Sequence, residues 1–194
     1  MIAAGYYRDR VTEVVWTVVV AAGSGRRFGA PKQYAALGDR RMIDIAVTTA
    51  RSASDGVVVV VPADDVDRER TALDGARCCA GGATRAESVR AGLALVPDEA
   101  TIVLVHDAAR PLASPQLFAA VVDAVRAGAP AVVPAVPVVD TIKVVDGRRR
   151  VTATPDRASL VAVQTTQGFR ASVLRAAHAA GGEGTDDAAL VEAA

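Results

Sequence analysis

Two lysines and one glycine-rich turn are the first residues in this chain that suggest chemistry. Of 22 basic residues only Lys32 and Lys143 are lysine. A chain that uses arginine for nearly all its positive charge, and lysine at two places, marks both lysines as functional candidates. A compact ammonium and a planar guanidinium are not interchangeable at a phosphate. Lys32 follows the turn Ala21-Ala22-Gly23-Ser24-Gly25-Arg26-Arg27. Glycines let backbone approach an anion, and their N–H groups can cradle phosphate oxygens. The turn lacks the third glycine of a dinucleotide fingerprint and the Gly-Lys-Ser/Thr of a P-loop. Alone it would suit any strand-to-helix turn. With Arg27 and Lys32 five residues apart behind it, it reads as a triphosphate clamp.

The matching chemistry is attack by a phosphate monoester oxygen on an α-phosphorus, with pyrophosphate leaving. Positioning and cations would do most of the work, with no covalent nucleophile. Lys32 would neutralise the transition state and Arg27 the β and γ phosphates. Mg²⁺ is the expected cofactor, because it prefers one or two carboxylates plus phosphates. Asp107, behind the apolar run Val103-Leu104-Val105, is the candidate carboxylate. The lesser reading is that it caps a helix or pairs with Arg110. His106 reads as structural, since a phosphate monoester needs no base, and His178 reads as a surface residue. Gly81-Gly82-Ala83-Thr84-Arg85-Ala86-Glu87-Ser88 is a second glycine-led turn. It could read a base edge through N–H groups and Ser88, or be simply a helix start capped by Thr84.

These residues need a scaffold that brings them together. The chain has 194 residues, 51% of them apolar and 4% aromatic, so its core must rest on small and β-branched side chains. That suits a parallel sheet under Ala-rich helices. Apolar runs predict strands at 17–22, 56–61, 101–105, 131–136 and 161–163. Helical spacing predicts helices at 42–52, 66–73 (charged and exposed), 85–95, 115–127 and 170–180, with a last helix capped by Thr185-Asp186. Asp146-Gly147, between two β-branched runs, predicts a hairpin projecting at about 138–157. The result is a three-layer α/β domain over 17–194 behind an N-terminal extension, 1–16. In such sheets ligands bind beyond the carboxyl ends of the strands.

Composition excludes several roles. Net charge is zero, which argues against nucleic acid or an anionic membrane. No apolar run approaches the roughly 18 residues a membrane span needs, and 1–16 has no signal-like apolar core, so a cytoplasmic setting is expected. Cys78 and Cys79 are adjacent and read as small hydrophobes.

Taken in order, these segments resemble the 2-C-methyl-D-erythritol 4-phosphate cytidylyltransferases of the non-mevalonate isoprenoid pathway. The likeness rests on the glycine loop through Pro31-Lys32-Gln33-Tyr34, Gly81-Gly82 with Arg85 and Ser88, and Val105-His106-Asp107-Ala108-Ala109-Arg110-Pro111. It continues in Asp140-Thr141-Ile142-Lys143, Asp156-Arg157, Gln164-Thr165-Thr166-Gln167-Gly168-Phe169 and Thr185-Asp186-Asp187. The resemblance implies a Rossmann-like nucleotidyltransferase fold, a mostly parallel sheet with the projecting hairpin arm, and a homodimer whose arms complete each other's sites. It implies nucleotide contacts at Ala21, Ala22, Gly23, Ser24, Gly25, Gly82, Arg85 and Ser88, and the metal at Asp107. Contacts to the polyol phosphate are implied at Arg110, Thr141, Lys143, Arg157 and Thr165, with Arg27 and Lys32 catalytic.

Ala83 stands where some family members have an acidic residue, and Thr166 replaces a common proline, which would loosen that turn. The family also continues into a strand bearing a second catalytic lysine. On the chain as written, ending at Ala194, that lysine has no counterpart, and the expectation is reduced or absent turnover. Ribitol 5-phosphate cytidylyltransferases share the loop and the His-Asp block, although Lys143 after Asp-Thr-Ile favours the erythritol reading. A shortened homologue that binds nucleotide without turnover is the alternative outside the enzymes.

Lys32→Ala should abolish pyrophosphate release from CTP while leaving the far-ultraviolet circular dichroism unchanged. Retained turnover would mean that the clamp is misassigned.

Overall fold

The computed structural model describes residues 13–23, 25 and 29–194. Its strands are β1 Val14–Val20, β2 Ala36–Leu37, β3 Arg40–Arg41, β4 Gly56–Val61, β5 Arg77–Ala80, β6 Ala100–Asp107, β7 Ala131–Val132, β8 Ala135–Pro137, β9 Val144–Val145, β10 Val151–Ala153, β11 Val161–Val163 and β12 Gln167–Arg170. Its helices are α1 Met42–Arg51, α2 Val66–Ala72, α3 Arg85–Leu93, α4 Pro115–Arg126, α5 Ala171–Ala179 and α6 Asp187–Glu192. The main sheet has the order β5-β4-β1-β6-β12-β7. β5, β4, β1 and β6 pair in parallel, and β12 runs antiparallel to both its neighbours.

The valine runs explain the layers. Successive strand side chains alternate faces. Val57, Val59 and Val61 of β4 therefore pack with α1 and α4 in one cluster, alongside Ile43, Val47, Phe118 and Val121. Val58 and Val60 face the other way, into a cluster with Val89 and Leu93 of α3 and Leu174 of α5. A strand covered on both faces has no polar side to show, so β4 is apolar throughout. Each such valine, 0–2% exposed, contributes about 1.5 kcal/mol or more by burial.

Several expectations need correction. β1 begins at Val14, inside the stretch read as an extension, while residues 1–12 lie outside the described residues. β6 continues through His106 and Asp107, so the candidate carboxylate ends a strand and does not follow one. The strand expected over 131–136 divides into β7, in the main sheet, and β8, which pairs with β11. α3 stops at Leu93. β12 was not foreseen: Gln167 and Arg170 frame it, yet Phe169 is fully buried and Arg170 leads directly into α5.

The arm is built from two short ladders, β8 with β11 and β9 with β10. Its tip is not a two-residue Asp-Gly turn. Asp146 Oδ1 accepts from the N–H groups of Arg148 and Arg150, both at 2.9 Å, and Arg149 takes the left-handed conformation at φ 61°. The aspartate organises a longer loop by hydrogen-bonding its own backbone.

The charged helix α2 also differs from expectation. Glu69 is fully buried, accepting at Oε1 from Arg41 Nη1 at 2.8 Å and from Arg68 Nε at 2.9 Å. Arg68 lies 4.6 Å over the Tyr34 ring, and the Tyr34 hydroxyl donates to Asp65 at 2.8 Å. Burial and that hydrogen bond push the phenol pKa up, so it keeps its proton. The web fastens the single helical turn Lys32–Tyr34 to α2.

Glu69→Ala should destabilise the fold by about 1–2 kcal/mol, because it removes the buried acceptor of two charge-assisted hydrogen bonds while Arg41 keeps Asp44 and Arg68 keeps Asp65. The urea midpoint reads this directly, and an unchanged midpoint would show that the web carries no net stability.

Candidate active site

Parallel pairing sets four strand ends side by side. Val20 pairs with both Val60 and Asp107, and Val61 pairs with Ala80. The chain leaves the sheet there through bonds that continue the ladders: Ala21 N to Val60 O at 2.7 Å, Gly81 N to Val61 O at 2.8 Å and Ala108 N to Val20 O at 3.0 Å. The two glycine turns touch, since a Cβ on Gly81 would overlap that of Ala22. Gly23 is exposed, with open space about it. Gly25 sits at φ 63°, where a Cβ would overlap the Ala30 carbonyl, so only glycine fits. Ser24, Arg26 and Arg27 lie outside the described residues. Lys32 and Arg110 share the wall of an otherwise apolar cavity of about 420 Å³, with Leu37, Met42, Pro111 and Leu112.

The second glycine turn is organised from within. Thr84 caps α3, accepting from Glu87 N at 3.1 Å, and Glu87 Oε2 accepts from Ala83 N and Thr84 N. Ser88 is 3% exposed; its hydroxyl accepts from Gly82 N at 3.2 Å and donates to Thr84 O at 2.9 Å. That serine therefore shapes the turn; Gly82 and Ala83 are exposed residues, but their N–H groups, expected to read a base edge, are taken by Ser88 and Glu87.

Arg85 bridges this turn to β6. Its Nη1 donates to Asp187 Oδ2 at 2.6 Å, while Nε and Nη2 lie 3.4 Å from Asp107 Oδ1. Burial works against the guanidinium charge, but the Asp187 and Asp107 carboxylates outweigh it and push the pKa up. Arg110 Nε lies 3.9 Å from Asp107 Oδ2, too far for a hydrogen bond. Arg110 Nη1 instead donates to Gln164 Oε1, at the base of the arm.

These contacts decide whether Asp107 can serve a metal. Its side chain is 30% exposed and its Oδ2 has no short partner among the described residues. No group of three or more His, Cys, Asp or Glu side chains suited to a metal occurs among the described residues. One available carboxylate beside the exposed Gly23 turn would suit Mg²⁺ held largely by phosphate oxygens.

His106 and His178 are both buried, at 0% and 4% exposure. The His106 ring packs on Phe118, with centroids 4.9 Å apart, and its Nδ1 lies 3.3 Å from Thr165 Oγ1. That hydroxyl also accepts from Asp107 N at 3.3 Å, and Thr165 is 7% exposed, so Thr165 holds the end of β6 in place. Thr166 is fully buried, and its hydroxyl lies 3.4 Å from Val105 O. His178 is not the surface residue expected. It shares a face of α5 with Ala171, Leu174 and Ala177, and its Nε2 donates to Asp187 Oδ1 at 3.0 Å. The sequence carried that signal, because positions 171, 174, 177 and 178 fall on one helical stripe. Asp187 could not be singled out in this way, since its partners come from distant parts of the chain. Burial pushes the thiols of Cys78 and Cys79 up, which suits packing and not reactivity.

Thr141, Lys143 and Arg157 are exposed on the arm. Lys143 Nζ donates to Thr154 Oγ1 at 2.7 Å, and Arg157 Nη1 to Val139 O at 2.8 Å. Of ten exposed large hydrophobic residues among those described, eight lie between Val136 and Val163; the other two, Leu37 and Leu112, line the cavity by Lys32. Among the described residues, no helix is long and apolar enough to cross a membrane.

The family model described as IspD, 2-C-methyl-D-erythritol 4-phosphate cytidylyltransferase, matches residues 15–194. Proteins of that name are similar to the chain: one from Rhodococcus jostii is 52% identical over 184 residues, covering 92% of this chain and 81% of the relative. One from Nocardia farcinica is 50% identical over 185 residues, covering 92% and 80%. Among solved structures, a 4-diphosphocytidyl-2C-methyl-D-erythritol synthase from Anaerococcus prevotii superposes with a TM-score of 0.80 at 30% identity, covering 93% of this chain and 83% of that one. A 2-C-methyl-D-erythritol 4-phosphate cytidylyltransferase from Thermus thermophilus gives 0.73 at 34% identity, covering 93% and 84%.

Burial lowers the His106 pKa from 6.5 to about 4. Above pH 6.5 the ring is neutral in both folded and unfolded chains. As the pH falls from 6.5 towards 4, only the unfolded chain takes up the proton, so stability drops through that window. A shift of this size corresponds to about 3 kcal/mol. Urea midpoints measured between pH 7 and 4 should fall less steeply in His106→Gln than in the wild type. Parallel curves would remove His106 from the acid limb.

Proposed function

Because the chain belongs to the 2-C-methyl-D-erythritol 4-phosphate cytidylyltransferase family, we propose that it joins CTP and 2-C-methyl-D-erythritol 4-phosphate with release of pyrophosphate, in isoprenoid precursor biosynthesis. The observation that carries this reading is the continuous match over residues 15–194. It takes in both glycine turns, the end of β6 and the arm.

An acceptor phosphate oxygen forms a bond to the α-phosphorus as the bond to the β-phosphate oxygen breaks, and that electron pair leaves with pyrophosphate. The acceptor monoester, with a second pKa of about 6, is already largely ionised at neutral pH. No base is required, which agrees with a buried, neutral His106. Exposed backbone at Gly23 and Gly82 suits close approach of the nucleotide, whose site we assign also to Ala21, Ala22, Ser24, Gly25, Arg85 and Ser88. Lys32 and Arg27 neutralise charge that grows on the α-phosphate and the leaving group; losing one such group costs about 10²–10³ in rate. Mg²⁺ held by Asp107 supplies charge neutralisation across the phosphates when bound.

The acceptor phosphate is held by Arg110, with Thr165 setting the end of β6 beside it. The arm supports a homodimer, in which Thr141, Lys143 and Arg157 reach the acceptor bound by the second protomer. Apolar residues concentrated on an exposed arm suit burial against another surface. A cytoplasmic setting agrees with a nucleotide triphosphate and a phosphorylated acceptor as substrates.

In a coupled pyrophosphate assay, CTP with 2-C-methyl-D-erythritol 4-phosphate should give release, and ribitol 5-phosphate should give far less. Measurable CTP binding without release for any polyol phosphate would replace this reading with that of a nucleotide-binding homologue.

A further inference from the structure

Asp187 opens α6 with its carboxylate fully buried, and both of its oxygens are engaged. Oδ2 accepts from Arg85 Nη1 at 2.6 Å, and Oδ1 from His178 Nε2 at 3.0 Å. The neighbouring Asp186 is held as well: Oδ2 accepts from Gln167 Nε2 at 2.8 Å, and Oδ1 from Ala189 N at 2.9 Å. The start of α6 is thus tied to β12 and α5 before it reaches Arg85. None of Asp187, His178 and Gln167 has a part in the chemistry set out above.

Arg85 lies between two carboxylates that compete for it. Its contact with buried Asp187 is short, and both contacts with the more exposed Asp107 are 3.4 Å. Charge-assisted hydrogen bonds strengthen as they shorten and as water is excluded, so the guanidinium is drawn towards Asp187. Without that pull, Asp107 is the anion left beside Arg85, and an ordinary ion pair would close between them. A carboxylate closed onto an arginine is a poorer ligand for a cation.

We propose that Asp187 is a positioning residue that holds Arg85 back from Asp107 and so keeps the Asp107 carboxylate available to magnesium-bound triphosphate. The inference rests on the assignment of Asp107 and Arg85 to the metal and nucleotide under the proposed function. It assigns His178 a role too: by donating to Oδ1 it fixes the direction in which Oδ2 faces.

Asp187→Asn tests it with little change of shape. An asparagine retains one acceptor for Arg85 and offers a donor towards His178, but it removes the charge that outbids Asp107. The readout is CTP affinity by titration calorimetry over a series of Mg²⁺ concentrations, with a thermal melt to confirm folding. The Mg²⁺ concentration giving half the maximal gain in affinity should rise by about tenfold in Asp187→Asn. In an Arg85→Gln background the competitor is gone, so adding Asp187→Asn should produce no further rise. His178→Gln, which unpins Oδ1 but leaves the charge, should shift the midpoint the same way by a smaller factor; it carries the test if Asp187→Asn does not fold. Unchanged midpoints in folded variants, or an equal rise with and without Arg85, would overturn the proposal. A wild-type chain that binds no CTP at any Mg²⁺ concentration would instead sink the functional reading, and this inference with it.

Discussion

Parallel pairing of β1 with β4 on one side and β6 on the other is the constraint on which the rest of the molecule depends. In a parallel ladder the strands end at the same edge, so every segment that leaves the sheet there is placed beside the next. Val20, Val60 and Asp107 are level because the ladders make them so. The switch in strand order falls at β1, with β4 to one side and β6 to the other. That is where an open α/β sheet forms a crevice.

The same constraint imposes the core. A sheet with helices on both faces needs side chains that fill space in both directions without polar atoms; valine supplies this for β4, and Val103 and Val105 with Ile102 and Leu104 supply it for β6. With almost every interior position apolar, the buried polar residues stand apart. Thr165, Thr166, His106 and Gln167 sit where β6 meets β12, and Asp187 with His178 lies just outside them. Each makes at least one hydrogen bond to a neighbouring element. The polar groups on which the site relies are therefore held by a rigid apolar frame, a precondition for electrostatic preorganisation.

Local signals made much of this legible in the sequence. β4 was bounded by its valine run and by Pro62, and α4 by Ser114 and Pro115, because those residues act on their own backbone. Lys32, Arg85 and Asp107 stood out through lysine scarcity, a glycine turn and the end of an apolar run. Long-range features were hidden. β12 reads as polar at both ends, and only the cover of Val121 and Leu104 over Gly168 makes it a central strand. Glu69 looked like one more charge on a solvated helix, and nothing nearby in sequence announced Arg41 as its partner. The Asp187–Arg85 contact joins positions 102 residues apart, beyond the reach of any periodicity.

That separation has a consequence for the order in which the chain is made. Synthesis proceeds from the amino terminus and folding begins as segments emerge. β1, β4, β5, α3 and β6 all emerge before residue 187, and β1 pairs with β4 and β6 without it. On the proposal above, Arg85 in such an early form would have Asp107 as its carboxylate and would close onto it. Arrival of α6 would then open the pair. A helix made 102 residues after Arg85 would then set the proposed nucleotide site in its working state, and a nascent chain would be kept from engaging nucleotide until that helix had docked.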